Sequence, residues 1–312
     1  MRVTQTMLTK TNIGHLSSSY QRLSTLQEQL ISGKKIQRPS EDPVVAMQGV
    51  RYRTEVREVE QFKKNASEAT GWMDLTDSAL NEVTSAMSRI RELTTQAATD
   101  TYDVTQRKAI QSEVGQLIEH IGTLANTKYN EKGIFNGTKT DTAFVSMDGL
   151  RDYLASTTGP VDGVFTDGDP TGKETESINY EVSSGIEVQV NISPLSVFGP
   201  ETFQTLKKVY DALGTNADNN GATLSGMLKD IDEMVNGTVE TRADLGARVN
   251  RMDLNTSRLE DQEIIAKTVM SDNEDIEAEK VIMELKSYET LHRAALSAGA
   301  RIIQPTLLDF LR

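Results

Sequence analysis

The sequence contains no cysteine, which excludes disulfides, thiolate metal sites and thiol catalysis. Histidine is scarce as well: His15, His120 and His292 lie in separate segments, with no HExxH arrangement and no pair four residues apart, so no metal role is expected of them. Aromatic residues make up only 5% of the chain and Trp occurs once, too little for a thick globular core. Basic residues are outnumbered, 33 against 46 acidic ones, for a net charge of -13. That balance argues against a nucleic-acid partner, because phosphate-directed affinity comes from clustered Lys and Arg. The small basic cluster Lys34, Lys35 and Arg38 reads as a solvated loop.

Long apolar runs are missing too. No stretch approaches the roughly 20 residues needed to cross a bilayer, so membrane insertion is not expected. The opening MRVTQTMLTKTNIG has neither the charged start, the apolar run nor the small-residue cleavage site of a secretory signal, and taken alone predicts a cytoplasmic protein. Catalytic patterns are equally absent, with no GxSxG or comparable nucleophile setting. Gly168 to Glu174 is one residue short of a phosphate loop and carries Glu where Ser or Thr would bind magnesium, so it reads as a turn. Asp272, Glu274, Asp275, Glu277 and Glu279 form an acidic run without the glycine-centred loop of an EF-hand, and read as a solvated helix face. No catalytic, cofactor-binding or metal-binding residue is assigned, and the chain is expected not to be an enzyme.

What the chain does contain is helical periodicity. Its 312 residues call for two or three compact units. Ile13, Leu16, Tyr20, Leu23 and Leu30 follow three-four spacing, the narrow seam of a helix that packs on another helix. Gly33 stands where a C-terminal cap belongs, Arg38-Pro39 forces an extended step, and Asp42-Pro43 supplies a capping carboxylate and a proline for a new helix start. Residues 33–42 are therefore a rigid break, with Gly33, Pro39, Asp42 and Pro43 as its hinge residues. A long second helix follows through Tyr52, Val56 and Ala66 to Met73, Thr76, Leu80, Val83, Met87, Ile90, Thr94 and Ala97, and a third is marked by Ile110, Val114, Leu117, Ile121 and Leu124.

Helical spacing disappears over residues 136–202, where Gly, Pro, Thr and Asp accumulate. Ile178, Tyr180 and Val182, then Ile186, Val188, Val190 and Ile192, alternate around Ser183-Ser184-Gly185, which predicts a β-hairpin inside a small β-rich insert. Helices resume at Phe203, Leu206, Tyr210 and Leu213 and at Leu224, Leu228, Ile231 and Val235. A last tract is predicted from about Thr241 through Leu259 and Val281 to Ile302, ended by Pro305. Its seam includes Leu285, Tyr288, Leu291, Ala295 and Ile302. Neither terminal stripe can bury itself alone, so each is expected to pair with the other or with neighbouring subunits; packing within a monomeric bundle stays open on spacing alone.

Several motifs then meet a known family. LISGKKIQRPSEDPVVA from Leu30 to Ala46, RIRELTTQAA from Arg89 to Ala98, NTKYN from Asn126 to Asn130 and GIFNG from Gly133 to Gly137 are similar to matching stretches of the flagellin superfamily. DLGARVNR from Asp244 to Arg251 is shared with flagellins, whereas ARIIQPTLLDFL from Ala300 to Leu311 resembles the ending of the superfamily's hook-filament junction branch. The resemblance covers about residues 1–137 and 203–312. It implies a mainly α, elongated fold in which a long helical bundle or coiled coil forms from the paired chain ends. Three parts are expected: terminal inner-tube helices at 1–40 plus 263–312, an outer-tube bundle at 41–138 plus 203–262, and the outward-facing insert at 139–202. The implied role is a structural subunit joining the hook-side junction protein to the flagellin filament, exported without a cleaved signal by the type III route and so extracellular. Implied partners are that other junction protein, flagellin, further copies of the chain in a ring or tube, and a cytosolic export chaperone on the C-terminal helix. With Leu307 and Leu308 added, the named seam residues make up the expected assembly interface. A flagellin is the alternative, a soluble coiled-coil adaptor a weaker one and a hydrolase in the insert the weakest.

Overall fold

A computed structural model describes residues 5–99, 103–156, 161–166, 177–214 and 220–303. Among the described residues the chain is mainly helical, with two small antiparallel hairpins. Its helices are α1 (Gln5–Ser32), α2 (Pro43–Ala97), α3 (Val104–Ala125), α4 (Met147–Ala155), α5 (Leu195–Phe198), α6 (Pro200–Gly214), α7 (Asn220–Glu274) and α8 (Ala278–Ile303). Strands β1 (Lys128–Tyr129) and β2 (Lys132–Gly133) form one hairpin, β3 (Asn179–Ser183) and β4 (Ile186–Gln189) the other. These elements gather into two compact units, Met1–Val59 with Asp261–Arg312, and Glu60–Glu260; α2 and α7 contribute to both.

In the unit of the chain ends, α1 packs along α8. Its core is thin. Among the described residues its buried apolar side chains are Leu26, Val56, Ala266 and Val281.

The other unit holds a continuous core. Met73, Thr76, Leu80, Val83, Met87, Ile90, Thr94 and Ala97 are all buried on α2, which is the face that the three-four spacing selects. Thr76 and Thr94 are tolerated there because each hydroxyl donates to the carbonyl four residues back, Trp72 O and Ile90 O, leaving no polar atom unpaired. Helix α3 starts at a capping box: Asp103 accepts backbone N–H while Gln106 reaches back to the Asp103 N–H at 3.1 Å. The predicted hairpin forms with Ser184-Gly185 at its turn, and Gly185 takes φ +73, a conformation that favours glycine.

Residues 139–202 belong to this same unit. Beside the hairpin they contain α4, a 3-10 turn at Val161–Val164 and α5. Short polar and aromatic contacts tie them to the helices. Asn126 exchanges two hydrogen bonds with the Val145 backbone, at 2.7 and 2.9 Å. Phe165 stacks edge-on with Phe203 at 5.8 Å and Phe135 with Phe198 at 4.9 Å. The buried Lys207 ammonium donates to Ser156 O at 2.6 Å. Gly122 lets Leu150 approach so closely that a Cβ there would stand 2.7 Å from its Cδ2.

The last predicted tract is corrected by the structure. It begins at Asn220 and is broken at Asp275–Glu277 into α7 and α8. The turn-like segment Gly168 to Glu174 lies outside the described residues.

Candidate assembly interface

The α1–α8 pair runs antiparallel: Tyr20 lies beside His292, with ring centroids 6.2 Å apart, and Arg22 approaches Glu284 at 3.7 Å. Near the far end Gly299 faces Leu16 on α1, where a Cβ would meet Leu16 Cδ1 in ordinary van der Waals contact at 3.9 Å. The seam residues named from spacing fall into two groups. Leu16 and Leu23 on α1, and Leu285, Tyr288 and Ala295 on α8, are half-buried. Ile13, Tyr20, Leu30 and Leu291 remain exposed at 59%, 68%, 37% and 58%. Ile302 lies in α8, but its side chain, like Leu307 and Leu308, falls outside the described residues.

The buried line of α1 is therefore Leu16, Ser19, Leu23 and Leu26, and Leu26, 1% exposed, is the residue that sequence reasoning missed. The signal was present: Leu26 lies three residues after Leu23 and four before Leu30. Ile13 and Tyr20 flank that line and face water. More apolar surface accompanies them in the same unit. Ile31 is 86% exposed, Met283 67%, Ile264 65% and Ile265 62%, while Val44, Met47 and Val50 form an exposed stripe at the start of α2. Burying one such side chain is worth about 1.5–3 kcal/mol, so a second surface placed over them would be held strongly.

Below the helix pair the two chain breaks lie side by side. Gly33 ends α1 at φ +70, its N–H bound to Gln29 O at 2.8 Å. Ile276 N–H donates to Gly33 O at 3.0 Å and Lys35 N–H to Glu274 O at 2.7 Å, so the 33–35 segment pairs with the 274–276 segment like a short piece of antiparallel ladder. Asp42 Oδ1 accepts from both Val44 and Val45 N–H, at 3.0 and 3.1 Å, and Pro43 begins α2. Pro39 stands exposed on the intervening turn, which closes through Glu41 N–H to Arg38 O.

Two sequence readings are corrected here. Glu274 is 4% exposed, not part of a solvated face, and Lys34 is not a free loop cation. Arg53 binds the Glu274 carboxylate with two hydrogen bonds of 2.7 Å, while Lys34 Nζ reaches Glu274 at 3.3 Å and Asp275 at 2.6 Å. Burial pushes the Glu274 carboxyl up, but Arg53 and Lys34 together outweigh it and hold the group below the ordinary carboxylate range. Asp275 is held low by Lys34 and by the Ser271 hydroxyl. Lys34 is raised by Asp275 against an opposing desolvation, with Glu274 adding to the rise. The joint also depends on Gly49, because a Cβ there would lie 2.6 Å from Glu274 Oε1. Lys34 shares no helical period with its acidic partners, so only the opposite charges in two breaks far apart in sequence pointed to them.

This geometry offers surface and a braced bend. Among the described residues no group of three or more His, Asp or Glu is placed to hold a metal, and no helix is long and apolar enough to cross a membrane.

Comparison with known proteins places the chain. The model of the bacterial flagellin N-terminal helical region matches residues 3–140, and that of the C-terminal helical region matches residues 228–311. Over 320 aligned residues, covering 100% of both chains, it is 26% identical to the flagellin of Bacillus subtilis. It is 24% identical to flagellar hook-associated protein 3 of Salmonella typhimurium, over 96% of this chain and 95% of that one. The crystal structure of Bacillus cereus FlgL shares its fold, with a TM-score of 0.56 and 20% identity, over 71% of this chain and 99% of that chain. The matched helical regions, lying at both ends and spanning most of the chain, show that it belongs to the flagellin family.

Proposed function

We propose that this chain is a non-enzymatic structural subunit of the bacterial flagellum that joins the hook-side junction protein to the flagellin filament. The observation that carries the reading is the fold shared with FlgL over nearly all of that structure, joined to the hook-associated relative that aligns end to end. The junction-type ending at 300–311 agrees with it. In this reading Ile13, Tyr20, Leu30 and Leu291, with the unpaired side chains around them, meet neighbouring subunits, while Leu16, Leu23, Leu285, Tyr288 and Ala295 hold α1 to α8. The braced bend at Gly33, Pro39, Asp42 and Pro43 fixes how α1 leaves α2. The partners are the other junction protein, flagellin, further copies of this chain and a cytosolic export chaperone. The subunit reaches the cell exterior by type III export.

A filament role is the second reading, favoured by the full-length alignment with a flagellin. Two measurements on one strain separate them. Deleting the chain is expected to leave hooks without filaments and flagellin free in the medium, and an epitope-tagged copy should label one band at the hook-filament boundary. Labelling along the filament would replace the junction reading with the filament one. Normal filaments in the deletion strain would sink both.

A further inference from the structure

The methionines at the two extremes of exposure lie in different units, with Met147, Met227, Met234 and Met270 half-buried between those extremes. Met7, Met47 and Met283 are 63%, 73% and 67% exposed, and all three lie in the unit of the chain ends. Met73, Met87 and Met252, by contrast, are 0%, 1% and 0% exposed and lie in the core of the other. An exposed thioether presents its sulfur lone pairs to dissolved oxidants, whereas a buried one is shielded by its packing. Met47 also stands between Val44 and Val50, three residues away on either side and 57% and 65% exposed, so the sulfur sits in the middle of an apolar stripe on one helix.

We infer that Met7, Met47 and Met283 are the sites of sulfoxide formation in the free subunit, with hydrogen peroxide as oxidant, and that oxidation there weakens association while leaving the chain folded. The second part rests on the assembly role proposed above. In the reaction a sulfur lone pair attacks one peroxide oxygen, the O–O bond breaks and an S–O bond forms. The thioether is oxidised to the sulfoxide, and the departing hydroxide takes the remaining peroxide proton to leave as water. The product places a strong polar acceptor where the surface offers apolar contact, and an interface closing over Met47 would have to bury that acceptor unpaired. The fold itself is spared, because the methionines that pack the helical core are the shielded ones.

The test uses the purified full-length chain treated with graded hydrogen peroxide. Peptide mass mapping is expected to show Met7, Met47 and Met283 gaining one oxygen well before Met73, Met87 and Met252, with Trp72 fluorescence unchanged. Sedimentation should show the concentration needed for self-association rising roughly tenfold or more. The triple variant M7L/M47L/M283L should retain its association after the same treatment. Equal oxidation rates at exposed and core methionines would overturn the site assignment. Undiminished association of chains oxidised at Met47 would overturn the consequence. An untreated chain that never associates would instead count against the assembly role, and the order of oxidation would still decide where the sulfoxide forms.

Discussion

Among the described carboxylates in the unit of the chain ends, Glu274 is the buried one. It accepts three hydrogen bonds from Arg53 and Lys34, and its own backbone carbonyl accepts from Lys35. Replacing it with Ala removes those partners but lets the half-exposed cations rehydrate, so the expected cost is on the order of 1–2 kcal/mol, below that of a fully buried pair. Hydrogen exchange reads it directly: in E274A the amides of Lys35 and Ile276, which bridge the two breaks, should exchange faster while α3 amides do not change. The same amides report pH. Carboxyls held low contribute stability above their ordinary values and lose it as pH falls through the lowered folded ones, so Glu274 and Asp275 should release the joint in acid, below about pH 4. Lys34, held high, contributes below its ordinary value and loses it only as pH rises through the raised one, in strong alkali. Lys35 and Ile276 amides that stay protected at pH 3 would remove the ion pairs from this account.

Among the elements, those with a long one-sided pattern were legible in the sequence and those fixed by contacts distant in the chain were not. The buried face of α2 from Met73 to Ala97 follows from spacing alone, and so does the restart at Asp42-Pro43. The break between α7 and α8 has no glycine or proline to announce it, and it exists because Gly33 and Lys35 supply hydrogen-bond partners from 240 residues away. The α1 seam predicted from spacing merges two neighbouring rows, Leu16 and Leu23 on the buried line that continues to Leu26 and Ile13 and Tyr20 on the exposed one, because both rows are equally well spaced. The two rows predict opposite behaviour. Leu26→Ala should destabilise the free chain by about 2–5 kcal/mol, the range for a buried leucine, whereas Ile31→Ala, at an 86% exposed site, should stay within about 0.5 kcal/mol. Thermal melts of both variants check this, and equal losses would mean that the exposed row is also packed. The insert gives a further case. Composition predicts a β-rich insert, and Phe165, Leu150 and Ser156 within it pack on α6 and α3. Deleting 139–202 is therefore expected to uncover Phe203 and take the Ser156 carbonyl from Lys207, leaving it Asp211 alone, and so to lower the melting temperature of the bundle. A deletion variant as stable as the parent would show the insert to be separable.

At the scale of the whole molecule, the difference between the two cores sets an order of unfolding. One unit buries only Leu26, Val56, Ala266 and Val281 among its described apolar side chains, while the other encloses Met73, Leu80, Val83, Met87 and Ile90 on α2 alone. Buried apolar surface is the main term opposing chain entropy, so the thin unit should open at lower denaturant than the thick one. The single tryptophan makes this measurable: Trp72 is 2% exposed, lies in the thick core and stacks edge-on with Tyr129 at 6.0 Å. In a urea titration of the free chain, helical circular dichroism should begin to fall while Trp72 fluorescence still reports a native environment, giving two non-coincident transitions. Hydrogen exchange should agree, with amides from Leu16 to Leu26 and from Val281 to Leu291 exchanging faster than those from Leu80 to Ile90. On incorporation into an assembly the first two groups should slow, because Ile13, Tyr20 and Leu291 would then be covered. Coincident transitions by both probes, with equal protection in all three segments of the free chain, would show that the terminal helices need no neighbour to be stable.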